Sequence, residues 1–156
     1  MFRKMRRENR LMSDSDTQKL LQSGTYGVLA LSGDDGYPYS VPINYVFDGE
    51  RLYFHSASSG HKLDAIARCE KASFCVVENG GIIESEFTTS YKSAIVFGRI
   101  ATVSSDEEKE YALRLLMQRL APNTTQAEQD TELSHCQGVC VLAMDIDYMS
   151  GKKANQ

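Results

Sequence analysis

The sequence predicts a mainly β domain: six antiparallel strands with helices set between some of them. Three observations carry that prediction. Short β-rich runs are separated by hairpin signals at Gly33-Asp34-Asp35-Gly36 and Asp48-Gly49. Most of the connections are far too short for a parallel sheet, whose crossovers need a dozen residues or more. Six antiparallel strands in one 156-residue domain usually close into a small barrel or a sandwich, because closure removes their edges.

The elements follow in order. Ser13-Asp14-Ser15-Asp16 offers several N-caps, and Leu20-Leu21 gives a short helix its apolar face before Gly24. Tyr26 to Leu31 is the first strand. Tyr37 to Phe47 is the second, and it contains Pro38 and Pro42. Each proline removes a ladder donor, so this segment belongs at an edge or a bulge and leaves backbone groups free. Arg51 to Ser56 is the next strand. His61 to Arg68 then carries apolar residues at helical spacing, at 63, 66 and 67. Lys71 to Val77 is a strand, and 79–88 reads as a polar loop around Gly80-Gly81. Ser90 to Ser104 is a long strand with Gly98 as its expected bulge. Asp106 to Leu120 is a helix, opened by a Ser105-x-x-Glu108 capping box and closed by Pro122. Residues 123–135 are polar and helical in part. Val139 to Ile146 is the last strand, followed by a polar tail over 148–156.

Composition excludes several classes of function. Hydrophobic residues are 42 % and charged residues 24 %, as in ordinary globular chains, so disorder and fibrous repeats are not expected. No apolar run approaches the ~18–20 residues of a membrane span. No secretory signal is expected either, because the basic opening has no apolar stretch behind it. A single cytoplasmic domain over residues 1–156 is the expectation. Its net charge of −4 is uneven, since residues 1–10 carry Arg3, Lys4, Arg6, Arg7 and Arg10 against Glu8 alone. An acidic body argues against general nucleic-acid binding, which rests on phosphate neutralisation. The arm over 1–12 packs on the domain or stays solvated.

Cys69, Cys75, Cys136 and Cys140 have no common zinc spacing, and a metal is not expected. Cys140 lies in an apolar run, where a thiol behaves as a small hydrophobe.

The most informative stretch is Tyr53-Phe54-His55-Ser56-Ala57-Ser58-Ser59-Gly60-His61-Lys62. It sets three hydroxyls, a glycine and a lysine where a strand gives way to a helix. Unpaired N–H groups and the dipole of a helix N-terminus favour an anion, and Lys62 adds charge. A terminal phosphate suits that chemistry, although an ordinary capped helix with a solvated lysine has the same residues. Alternation along the strand sends His55 and Phe54 to opposite faces. His55 is then either a buried, hydrogen-bonded imidazole or a proton donor beside a reacting group.

The order of these elements resembles the flavin-binding split-barrel superfamily, whose best-known enzyme is pyridoxamine 5′-phosphate oxidase. The motifs are the proline-containing YSVPINYVFDG, the LYFHSASSGHKLDAI element and the long SYKSAIVFGRIATV strand. The opening MRRENR and the closing DIDYMSGKK are similar to its 5-nitroimidazole resistance branch. The resemblance implies a six-stranded split barrel and a homodimer, with one FMN in each half of a shared cleft. It implies a cofactor set of Ser40, Val41, Pro42, Ile43, Asn44 and Tyr45 along the ring, with His55 and Ser56 near the ring and ribityl chain. Gly60, His61 and Lys62 would hold the phosphate, and Ser93 would contact the flavin. His55 is the implied catalytic residue, serving a small flat acceptor such as a nitro-aromatic. Arginine usually stands at the position of His61 in the oxidase, so a permanent charge is missing here. The oxidase's substrate-binding C-terminal segment has no clear counterpart. A non-catalytic flavin module and a haem-binding split barrel are the alternative readings.

Overall fold

The structure, a computed structural model, describes residues 1–154. The chain runs through α1 (Asp14–Ser23), β1 (Tyr26–Ser32), β2 (Pro38–Asn44), β3 (Val46–Phe47), β4 (Arg51–Ser56) and α2 (His61–Arg68). It continues through β5 (Lys71–Ile83), β6 (Thr88–Thr102), α3 (Asp106–Leu120), α4 (Gln126–His135) and β7 (Cys140–Ala154). One sheet holds all seven strands in the order β2-β1-β5-β6-β7-β4-β3, with every pair antiparallel.

Seven strands replace the expected six because the segment Tyr37 to Phe47 divides at Tyr45. That side chain turns into the core and its hydroxyl donates to the Leu21 carbonyl at 2.7 Å. The residues on either side of it then join opposite edges of the sheet: β2 pairs only with β1, and β3 only with β4. A single residue links those two edges, so the sheet must curl until they meet. The result is a barrel that stays open along one seam. As the two prolines require, β2 is an edge strand.

Two apolar clusters hold this shape. Inside the curl, Leu29, Leu31, Leu52, Phe54, Phe74, Val96, Leu142 and Met144 pack with Leu20 and Leu21 of α1. Outside it, Ala112, Leu113 and Leu116 of α3 cover Val46, Tyr53, Val141 and Ala143. Alternation along each strand sorts residues between these two sides, and it leaves the outer face of β1, β5 and β6 without a helix over it.

Two boundaries differ from expectation. The polar loop over 79–88 is mostly paired. β5 runs on to Ile83 through a bulge at Asn79/Gly81, where Gly81 takes φ +94° and its N–H is held by the Asn79 side chain at 2.9 Å. The last strand does not stop at Ile146, and residues 148–154 of the expected tail continue it against Tyr91–Phe97 of β6. Alternation survives there with polar residues, so hydropathy alone could not mark the strand. The remaining tail residues, 155 and 156, lie outside the described residues. Gly98 does mark a bulge against β7, and a Cβ there would collide with the Asp145 backbone.

The basic arm packs on the domain. Phe2 stacks on Phe97 and Tyr148, with ring centroids 5.4 and 5.0 Å away, and Met12 N–H donates to the Gly151 carbonyl at 2.9 Å.

Candidate functional site

The seam positions the candidate residues. β3 pairs with β4 at Val46–Tyr53 and Phe47–Leu52, and the ladder stops there. Were it to continue, Tyr45 would face Phe54 and Asn44 would face His55. Burial follows that parity: Tyr45 and Phe54 are both fully buried, whereas Asn44 and His55 are exposed. β2 and Phe54–Ser56 of β4 therefore form two banks of an open slot. β2 is bonded on its other side to β1, and β4 on its other side to β7.

Along β2, alternate residues serve different purposes. Ser40, Pro42 and Asn44 point outward and are exposed, while Val41, Ile43 and Tyr45 point into the core. Only the first three can offer side chains to a ligand. Asn44 Nδ2 also donates to the Thr25 carbonyl at 3.0 Å, which braces the bank. Burial drives the Tyr45 phenol well above its ordinary pKa, so it stays a neutral structural donor.

On the other bank, His55 is exposed and has no hydrogen-bond partner among the described residues. The buried reading of this histidine is thereby overturned: Phe54 occupies the core face and alternation sends the imidazole out. Ser56, half-buried, stands across from Cys140 of β7.

After Ser56 the chain passes through Ala57-Ser58-Ser59 to Gly60, the N-cap of α2. Gly60 adopts φ +123°, a conformation that L side chains rarely adopt, and the space beside its Cα is open. His61 and Lys62 then diverge. The His61 ring stacks on Tyr39 of β2 at 4.1 Å between centroids, and its Nε2 lies 3.4 Å from Asp34 Oδ2. Arg68, at the far end of α2, reaches the same carboxylate at 2.6 Å. Asp34 and Tyr39 thus clasp α2 to the β1–β2 bank, a role the sequence did not signal because their partners on α2 lie beyond β3 and β4 in the chain. Lys62 instead goes inward beside Cys140. Burial pulls its pKa below the ordinary lysine value, and no carboxylate pairs with it among the described residues.

The slot thus has bare strand edges on both banks and a half-buried, uncompensated cation at the helix that closes one end. Those features fit a flat ligand with an anionic tail. Ser93 is not part of this group. It stands on the outer face of β6, across from Val77 of β5 and Lys152 of β7, and three strand spacings from β2, or roughly 14 Å. Among the described residues, no group of three or more His, Cys, Asp and Glu is placed to hold a metal ion.

An antiparallel barrel, split along one seam and stoppered by a short helix, defines the class. The sequence model of the pyridoxamine 5′-phosphate oxidase family matches residues 13–153, and the chain belongs to that family. An uncharacterized protein of Rhizobium meliloti is 29 % identical over 153 residues, covering 93 % of this chain and 95 % of that protein. Among solved structures, one assigned to 5-nitroimidazole antibiotic resistance in Bacteroides thetaiotaomicron superposes with a TM-score of 0.78 at 19 % identity. It covers 92 % of this chain and 86 % of its own. An FAD- and haem-binding protein of Mycobacterium smegmatis gives a TM-score of 0.74 at 25 % identity, covering 92 % and 72 % of the two chains.

Proposed function

We propose that the chain binds FMN as a homodimer, with the flavin at the subunit interface, and reduces a small flat acceptor such as a nitro-aromatic. The observation that carries this reading is the Lys62 ammonium, half-buried at the start of α2 beside the open Gly60 turn, with no counter-charge among the described residues. A charge taken out of water without a partner is costly, and a terminal phosphate at a helix N-terminus would compensate it. The named relative from Mycobacterium smegmatis binds FAD and haem, which supports a flavin in this barrel.

Bound flavin would supply the electron chemistry, and the protein would orient it and hold protons. In this reading the outward residues of β2 flank the ring, and Ser56, Gly60, Lys62 and the backbone of His61, whose ring is held by Tyr39 and Asp34, hold the tail. The exposed imidazole of His55, without a hydrogen-bond partner among the described residues, donates a proton or hydrogen bond to the acceptor.

Mass spectrometry of the small molecule that co-purifies tests the cofactor. A flavin absorbance supports the reading, and a Soret band in its place overturns it. Lys62→Ala should weaken FMN at least about tenfold while weakening riboflavin, which lacks the phosphate, far less. Equal losses remove the phosphate role. His55→Ala should keep FMN and lose most nitro-aromatic reduction, and unchanged turnover removes His55 from the mechanism.

A further inference from the structure

The outer face of β6 and β7 carries a group that the flavin slot does not use. Tyr91 and Ser93 project from β6, and Lys152 stands directly across the ladder from Ser93. The Lys152 Nζ lies 5.6 Å from the centroid of the Tyr91 ring. Arg10 reaches the same phenol from the N-terminal arm, and the two cations hold its pKa below the ordinary value, the Lys152 hydrogen bond first. The arm is fixed in register by the Leu11–Lys152 bridge and by Met12, which bonds to Gly151. Arg10 is therefore placed by the fold.

Among the described residues the group has no anion. Lys92 and Arg99 on the same strand pair with Glu78 and Asp147, but Arg10 and Lys152 form no ion pair among the described residues. Two like charges drawn to one phenol repel each other, and the body around them is otherwise acidic. The guanidinium and the ammonium present only donors to an oxyanion, and the phenol O–H can add one more. The group also lies at the margin of the apolar outer face, where Val77 is 60 % and Ile95 41 % exposed.

We propose that Arg10, Tyr91 and Lys152 form an oxyanion site that takes the carboxylate or phosphate-ester headgroup of a small acceptor. The assignment of the ligand as acceptor rests on the flavin reading, through Ser93 beside the group; the oxyanion site itself does not. The basic arm then has a function: it delivers Arg10.

The test is calorimetric titration of the full chain, flavin-free and FMN-loaded, with para-nitrobenzoate, para-nitrophenyl phosphate and the neutral para-nitrobenzamide. One of the anions should bind at least about tenfold more tightly than the amide. Arg10→Ala and Lys152→Ala should each erase most of that preference and leave amide binding unchanged; Arg10→Ala, in the arm, leaves the barrel intact. The tighter anion identifies the headgroup. Equal affinity for all three probes, or a preference that survives both substitutions, overturns the proposal. An anion preference in a chain that takes up no flavin overturns the flavin reading alone, and FMN uptake without any anion preference overturns this one alone.

Discussion

Tyr45 and Tyr53 are neighbours in the fold with opposite duties. Tyr45 seals the inner core, and Tyr53 sits in the outer one, with its hydroxyl 3.2 Å from Glu108 Oε1. Burial first, with Glu108 adding to it and Arg51 opposing, pushes the Tyr53 phenol from its ordinary 10.0 to about 12. A folded-state value above the unfolded one means that the neutral phenol's contribution is whole below pH 10 and drains away as pH rises through about 12. Alkaline unfolding should therefore steepen in that window, and Tyr53→Phe should flatten it, as urea melts across the window would record. A variant as alkali-sensitive as the parent would assign the effect elsewhere. His55 illustrates how much one residue reveals in sequence. Alternation against Phe54 correctly separated the two side chains, but it could not say which faced the core. Only packing decided that, because the larger apolar ring gains more from burial than the imidazole.

Helix ends tell a similar story at the scale of elements. Ser105 Oγ accepts from the Glu108 N–H at 3.3 Å, but the reciprocal half of the expected capping box is missing. Glu108 Oε1 is taken instead by Arg51 and Tyr53 of β4, so a residue that local sequence assigns to a cap serves to dock α3 on the sheet. The complete box is at Thr125 and Glu128 of α4, where both bonds form. Ser105→Ala should cost about 1 kcal/mol, and a chemical melt should show it without loss of FMN uptake. A loss of several kcal/mol would mean that the serine also holds α3 in place. Helices and hairpins were legible because their signals lie within a few residues: caps, glycines, prolines, alternation. The slot was legible along two stretches of chain, the proline-marked edge of β2 and Ser56 to Lys62. Asp34 and Tyr39, which clasp the second stretch, are brought to it by the curl of the sheet, and no local pattern encodes a curl. Nor did hydropathy reveal the end of β7, where Ser150 and Lys152 keep strand geometry with polar side chains.

For the whole molecule, the decisive fact is that the expected flavin contacts do not share one place. Gly60 to Lys62 close the slot at one end, whereas Ser93 stands on the outer face, three strands from β2. On the proposed reading, two copies packed by their outer faces would complete the site, each lending Ser93 to the other's slot. The face is suited to that. Val28, Cys75 and Ile95 lie in one row across β1, β5 and β6, with Val77 and Phe97 beside them. Val28, Val77, Ile95 and Phe97 are 42, 60, 41 and 38 % exposed. Contiguous apolar surface of this kind usually marks an interface, and symmetric pairing is its commonest solution. Ile95→Lys would place a charge in the middle of that row while leaving the inner core untouched. Sedimentation should then show a monomer, and FMN titration should show affinity lost at least about tenfold despite an unchanged circular dichroism spectrum, because a buried unpaired charge at an interface is strongly unfavourable. The outcome that would sink the shared site is a monomeric variant that binds FMN as tightly as the parent: the slot would then be complete within one chain, and Ser93 would have no part in it.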